Sequence, residues 1–416
     1  MGKRKQKYFD VKIGQHVAGG SPIALATDFC QQKLQLLGDD KLLCLCVPHS
    51  TPRLVVRHQN NRYFPARWPN TNLLHHPDCH YYSSYQARNS DQKTKPSVVK
   101  REDGSVRVHL LTSLKIATQS SKGVTIRSRK SEDGSEVRQE RAKDRYLLNL
   151  LWEQAGLTSF SGAKADKLNW FIISQRLMHA AEQLIITKSD EKLSDYLLIA
   201  GPDTSRNLQA HNAKVLSLPE RRYFLTGVMR TAVVPSDAQK ENALLPLLHS
   251  FPDLKFSVNR KRFNKYARRW PLLENIRETG GHVLIFACVT PKKKFANSSE
   301  RWFDVTQICL IPVSKHYIPV ESLYEAEFAE YLIEHGRDFG KPVASQNASA
   351  VRPDFVLYDT NPVTFVEVWG MNTEEYAARR EEKEKYYESK RLILMGWEAF
   401  SGAKKPKLPP IARKKT

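Results

Sequence analysis

A glutamate stands inside the run Thr-Phe-Val-Glu-Val-Trp, residues 364–369, where every other side chain is apolar or β-branched. Such a run reads as a strand buried on both faces. A carboxylate there constrains the whole fold, because burying an unpaired charge is costly and the chain must bring it a cation or a set of hydrogen-bond donors. Upstream, Ser-Ala-Val-Arg-Pro-Asp-Phe-Val-Leu-Tyr-Asp (349–359) turns at Arg352-Pro353 and enters a second strand with Asp354 at its start. Two strands this close in sequence can form a hairpin, which would set Asp354 and Glu367 side by side at one end of a sheet. Like charges so placed repel, and a divalent ion removes that penalty. Mg²⁺ or Mn²⁺ held this way polarises a phosphate and lowers the pKa of a bound water.

The flanking sequence suits this. Before the pair, residues 317–343 carry Leu323, Phe328, Leu332 and Ile333 at helical spacing, with Glu321, Glu325 and Glu327 on the same helix. Glu325, or Glu321, is expected to complete the ion's shell. After the pair, a charged helix is expected from about Glu374, carrying Arg379, Arg380 and Lys383. Most of its charges read as a solvated face. Tyr376, Tyr386 and Tyr387 read first as packing residues and second as stacking partners for bases.

A second cluster lies near the start. Cys44 and Cys46 form a Cys-x-Cys pair, and His76 and Cys79 form a His-x-x-Cys pair within Leu-Leu-His-His-Pro-Asp-Cys-His-Tyr-Tyr (73–82). Two close pairs separated by a β-type segment are how small structural zinc modules are laid out. The expected Zn²⁺ ligands are Cys44, Cys46, His76 and Cys79. His75 would leave three residues before Cys79 instead of two, and His49 and His58 are further candidates. The competing reading is buried free thiols and surface histidines.

Lys+Arg number 65 against Asp+Glu 44, a net charge of +21, and that excess favours a polyanion, nucleic acid above all. With hydrophobic residues at 41% and charged residues at 26%, the composition is globular. No apolar run is long enough to span a membrane, and no apolar segment follows the basic Met-Gly-Lys-Arg-Lys-Gln start, so no membrane partner and a cytoplasmic location are expected. In that compartment the six cysteines are not a disulfide framework. No phosphate-binding Gly-x-x-x-x-Gly-Lys-Ser/Thr loop, Gly-x-Ser-x-Gly elbow or His-Glu-x-x-His occurs.

The fold class expected is α+β and multidomain. A β-rich module with the Cys/His cluster spans 1–117. A flexible linker, 118–142, is polar and charge-mixed. A helical and then α+β middle region spans 143–317. It opens on two amphipathic helices, 144–157 and 162–186, that read as an αα-hairpin or, with Lys164, Lys167 and Arg176, as a helix-turn-helix. The carboxylate domain spans 318–402, and a basic, Pro-rich, disordered tail spans 403–416.

The region 318–402 resembles the PD-(D/E)XK nuclease superfamily, the restriction-endonuclease-like fold. Pro353-Asp354 matches its first element and Glu367-Val368-Trp369 its second, and the acidic helix upstream fits the superfamily's αβββαβ order. The resemblance implies a nuclease that hydrolyses DNA phosphodiesters with Mg²⁺ or Mn²⁺ on Asp354 and Glu367. This chain departs from the pattern at Trp369, where the superfamily has lysine; some members supply that lysine from the following helix, and Lys383 is placed to do so. The alternative is a degenerate nuclease fold in a non-catalytic, zinc-containing nucleic-acid-binding accessory protein. A third reading is a zinc-stabilised interaction protein with a structural acidic pair. The whole chain also resembles a bacterial family of unknown function met on mobile genetic elements. That likeness rests on the Cys-x-Cys with Arg-Tyr-Phe-Pro-Ala-Arg-Trp-Pro-Asn (62–70) and His-His-Pro-Asp-Cys, on Leu-Leu-Asn-Leu-Leu-Trp-Glu-Gln-Ala-Gly-Leu (147–157), and on the 352–371 segment.

Overall fold

A computed structural model of the chain describes all residues except 1–6, 38–40, 48–49, 60, 69–70, 72, 83–93, 96–97, 101–105, 111–113, 117–137, 140–143, 163–167, 188, 202–204, 219–220, 232–241, 246, 248–250, 252, 267–269, 293–299, 344–350 and 413–416. The chain is mixed α and β and divides into two compact units. The first unit comprises residues 1–87, 158–166 and 331–416, and the second 88–157 and 167–330. This grouping differs from the expected boundaries: the Cys/His segment and the carboxylate segment share one unit, and the middle region runs on to Glu330. The linker expected at 118–142 lies outside the described residues, apart from Arg138–Gln139.

The first unit holds a three-stranded antiparallel sheet, ordered His16–Ala18, Val11–Ile13, Leu42–Cys44, and a hairpin of Leu54–Gln59 with Arg62–Arg67. Helix Asp28–Gln35 starts where Thr27 Oγ1 accepts the Cys30 N–H at 3.4 Å, a side-chain N-cap. A five-stranded sheet is ordered Ser159–Phe160, Phe339–Gly340, Phe355–Leu357, Thr364–Trp369, Ile393–Glu398. Its pairings are antiparallel except the last. A parallel pair needs a crossover, and helix Glu374–Ser389 supplies it, capped by Thr373 and opening on Glu374 and Glu375, whose charges suit the helix N-terminus. After residue 322 the elements run helix Leu323–Glu334, three strands, helix Glu374–Ser389, strand Ile393–Glu398.

An apolar cluster joins both ends of the chain within this unit. Val11, Ile13, Leu34, Leu42 and Leu54 from the N-terminal segment pack with Val356, Tyr358, Phe365 and Tyr387 from the C-terminal one. The alternation in Val11–Ile13 and Leu42–Cys44 turns one face inward, as a half-buried strand requires. Residues 403–412 are not a loose tail. Ala403 O accepts the Trp397 indole N–H (2.9 Å), Pro406 O the Tyr331 hydroxyl (3.2 Å) and Pro409 O the Arg337 guanidinium (2.9 Å), while Ala412 N–H donates to Asp359 O (2.7 Å). Prolines hold this segment extended without donors of their own, which leaves carbonyls for neighbouring side chains.

The second unit is built on a six-stranded mixed sheet, ordered Leu197–Ala200, Tyr223–Val228, His282–Pro291, Arg301–Val313, Leu254–Asn259, Asn242–Leu244. Its core gathers Leu198, Leu225, Phe256, Ile285 and Phe303. The parallel pair at one edge is joined by helix Arg206–Ser217. The two amphipathic helices are Asp144–Gln154 and Trp170–Gln183, but a strand, Ser159–Phe160, lies between them. That connection is neither the short turn of a helix-turn-helix nor a plain αα-hairpin. Among the described residues no helix is long and apolar enough to cross a membrane.

Candidate metal centre and carboxylate site

Four buried side chains, Cys44, Cys46, His75 and Cys79, bring their ligand atoms within 4.8 Å of one another. Cys44 closes the strand Leu42–Cys44 and its N–H donates to Pro52 O (2.8 Å). Past it the chain bends, so Cys46 turns to the same side. Cys79 is fixed by a tight turn in which its N–H donates to His76 O (2.7 Å). Cys44 Sγ lies 3.6 Å from Cys79 Sγ, and His75 Nδ1 lies 3.4 Å from Cys46 Sγ and 3.7 Å from Cys79 Sγ. Hydrogen bonds from Cys46 and Cys79 hold the Cys44 thiol far below its ordinary range, while the hydrogen bond with Cys44, together with burial, pushes Cys46 and Cys79 up. Three thiols and an imidazole so arranged can hold a metal ion such as zinc, which takes thiolate and imidazole nitrogen in a closed tetrahedron.

The histidine is His75, not His76 as the two-residue spacing suggests. His76 contributes its backbone instead: its N–H donates to Cys46 Sγ (3.3 Å), and its ring Nδ1 accepts the Asp78 N–H (3.1 Å). A backbone donor to a sulfur helps such a site orient its ligands, and the His76 ring lies against Phe9 and Tyr358, with ring centroids 6.0 and 5.9 Å away.

Asp354 and Glu367 come together as the hairpin requires. Phe355 faces Val366 across the strands, and Asp354 N–H donates to Val366 O (3.0 Å), which sets Asp354 beside Glu367. Asp354 Oδ2 accepts the Val368 N–H at 2.8 Å. Glu367 is 0% exposed. Lys383 Nζ donates to its Oε2 at 2.6 Å and to Arg352 O at 3.3 Å, and the Tyr387 hydroxyl donates to its Oε1 at 2.8 Å. Burial first, and the Asp354 charge second, push the Glu367 carboxyl up to about 7, against the opposing pull of Lys383 and Tyr387. Burial and the Glu367 charge raise the Tyr387 hydroxyl in turn, so it stays a donor.

Trp369, in the lysine position, is buried on the strand after Glu367. Its ring lies 5.1 Å from the Arg380 guanidinium and 5.8 Å from Lys383 Nζ, close enough for cation–π attraction. A side chain at Gly396 would meet the Trp369 indole at 2.6 Å, so the neighbouring strand has a glycine there. The indole thus forms a shelf over which Lys383 reaches Glu367.

Two further residues join the site that sequence reading passed over. Lys341, 3% exposed, sets its Nζ 3.7 Å from Asp354 Oδ1 and 4.9 Å from the Phe355 ring centroid. Tyr387, read only as a packing or stacking residue, is the buried donor to Glu367. Glu325 has another role. It belongs to the second unit, and among the described residues it joins no metal-ligand group. Ser322 Oγ accepts the Glu325 N–H (3.0 Å) as a side-chain N-cap, and Glu325 Oε2 accepts the Glu321 N–H (2.9 Å) just before the helix.

Compared with known proteins, the chain matches a family model described as a protein of unknown function over residues 38–397. No curated protein matches the chain. No solved structure matches it either.

Proposed function

The chain belongs to the family DUF1173, whose description assigns no activity, and from its own residues we propose that it is a metal-dependent nuclease acting on DNA, with a structural zinc at Cys44, Cys46, His75 and Cys79. The observation that carries this reading is the juxtaposition of Asp354 with a fully buried Glu367 whose partner is a lysine from the crossover helix. A purely structural strand has no need of a carboxylate at its centre. The order helix, three strands, helix, strand supports the resemblance to the PD-(D/E)XK superfamily.

A Mg²⁺ or Mn²⁺ ion between Asp354 and Glu367 would supply Lewis-acid polarisation of a scissile phosphate. The chain's own residues do the rest. Asp354 and Glu367 would be held rigidly as ligands, because Asp354 N–H donates to Val366 O and Glu367 lies in a strand that pairs with Ile393–Glu398. Burial raises the Glu367 carboxyl in the fold without metal, and a bound divalent ion would hold it ionised as a ligand. Lys383 carries the positive charge that orients an attacking water and offsets charge developing on the phosphate. The +21 net charge draws the polyanion.

The test is incubation of the full chain with single- and double-stranded DNA in Mg²⁺ and in Mn²⁺, beside Asp354→Asn and Glu367→Gln. The wild type should cleave, and both near-isosteric variants should fall to background while keeping salt-sensitive binding. Cleavage kept in both variants removes the site from the chemistry. Binding without cleavage by the wild type leaves the accessory-protein reading.

A further inference from the structure

The hairpin of Leu54–Gln59 with Arg62–Arg67 supplies no ligand to the Cys/His cluster, and its two faces differ. Along a strand, neighbouring side chains take opposite faces, and residues directly opposite across the ladder share one. Leu54, Val56 and Tyr63 pack inward on the apolar cluster. On the outer face Arg57 stands across from Phe64, and Arg62 lies two positions before Phe64. Arg53 extends that face, with its guanidinium 4.7 Å from the centre of the Trp68 ring. The three arginines are exposed, and Phe64 is 36% exposed. From Lys41 to Pro77 the chain carries Lys41, Arg53, Arg57, Arg62 and Arg67 and no Asp or Glu at all. A merely solvated surface intersperses both signs; this one presents a single sign around an aromatic ring. The backbone of Tyr63 is bonded both ways by Gln31, which donates to its carbonyl and accepts its N–H, each at 2.8 Å. A further strand therefore cannot add at that edge, and the face is what the hairpin offers.

We propose that this face is a binding platform for single-stranded DNA, on which a base stacks against Phe64 while Arg57 and Arg62 hold the neighbouring phosphates. The inference rests on the DNA partner of the nuclease reading and names the surface that grips it. Arginine suits the task, because its planar guanidinium meets phosphate oxygens in pairs and also lies flat on rings. Arg53 on Trp68 shows the second habit on the same face. The exposed phenylalanine decides for the single strand. Bases in a duplex are stacked on one another and present only their edges and phosphates, so a ring set between arginines would find no flat partner there. An unpaired base presents a π-face, and stacking on an aromatic side chain is the usual, sequence-tolerant way to hold it. The Cys/His cluster shares the apolar cluster on which the hairpin's inner face packs, so the platform stands on a braced support.

The experiment is fluorescence anisotropy of a short labelled oligothymidylate, and of a duplex of equal length, titrated with the zinc-loaded full chain over a series of salt concentrations. No Mg²⁺ or Mn²⁺ is added, so that cleavage does not consume the probe. The wild type should bind the single strand more tightly than the duplex. Phe64→Ala should weaken binding of the single strand about tenfold and leave its salt dependence unchanged, while Phe64→Trp should keep wild-type affinity. Arg57→Ala and Arg62→Ala should each weaken binding and lower the slope of log affinity against log salt by about 0.7, the value for one phosphate contact on a single strand. All three positions are exposed, and zinc content and the unfolding midpoint check each variant; the arginine variants carry the test if Phe64→Ala fails to fold. Wild-type affinity in Phe64→Ala overturns the proposal, as do tighter binding of the duplex, an unchanged salt slope in both arginine variants, or no binding of either probe. Loss of binding in these variants by a chain that cleaves nothing in Mg²⁺ or Mn²⁺ would sink the nuclease reading and leave the platform standing. Cleavage that depends on Asp354 and Glu367 but not on the hairpin would do the reverse.

Discussion

Glu367 has an electrostatic signature that stability measurements can read. Its carboxyl rises from the ordinary 4.5 to about 7 in the fold, so the folded state holds its proton more tightly than the unfolded chain does. The sign follows: the contribution to stability is fully present below pH 4.5 and is lost as pH climbs to 7. A shift of this size sets an upper limit of roughly 3 kcal/mol. Without added divalent ion, the stability of the wild type relative to Glu367→Gln should therefore fall between pH 5 and pH 8, as followed by denaturant unfolding. A flat difference would mean that the carboxyl titrates normally. That Glu367 mattered was legible from the sequence, because a charge in an apolar run violates the local pattern. Asp354 was legible through Pro353 and the strand behind it. Lys341 was not, since its place beside Asp354 depends on strand pairing: Gly340 faces Val356 across the sheet, and nothing local to residue 341 encodes that. His75 and His76 differ by one position, and the choice turned on which backbone N–H reaches a sulfur, a matter of turn geometry that spacing rules do not contain.

Among the elements, the strands bearing Asp354 and Glu367 and the helix from Glu374 lie where the sequence put them, whereas the helix expected over 162–186 runs only Trp170–Gln183 and gives way to the strand Leu184–Ile186. The Pro-rich end departs too, because composition registers missing donors and not the carbonyls that proline leaves available. Arg337 organises that contact. Its guanidinium holds Asp359 through Nε and one terminal nitrogen, both at 2.7 Å, and Pro409 O through the other terminal nitrogen. Bidentate pairing of this kind fixes orientation as well as charge. Ending the chain after Gly402 removes one hydrogen-bond acceptor each from Trp397, Tyr331 and Arg337, and the Ala412 donor to Asp359. At roughly 1 kcal/mol for each hydrogen bond, the truncated protein should lose about 3–4 kcal/mol in denaturant unfolding. A loose tail predicts a change within about 0.5 kcal/mol, the usual effect of a surface alteration, and that result would contradict the contacts described.

At the scale of the whole molecule, the sequence suggested a zinc module and a carboxylate domain standing apart, with a linker and a middle region between them. Local patterns carry no information about which distant segments share a core, and here the first and last parts of the chain do. Cys44, Cys46 and Cys79 belong to the same apolar cluster as Val356, Phe365 and Tyr387, and Tyr387 is the donor to Glu367. A structural zinc contributes folding free energy outright, so its loss should spread through that core to the carboxylate sheet. The second unit has its own core around Phe256, Ile285 and Phe303 and depends on none of these ligands. Hydrogen exchange read by mass spectrometry separates the two cases. On removal of zinc by a strong chelator, or in Cys79→Ser, the amides of Thr364–Trp369 should lose protection along with those of Leu42–Cys44, while those of His282–Pro291 keep theirs. Full protection of Thr364–Trp369 in the chelator-treated protein would show that the cluster braces only its own strands, and the Cys/His cluster and the carboxylate pair would then be energetically independent.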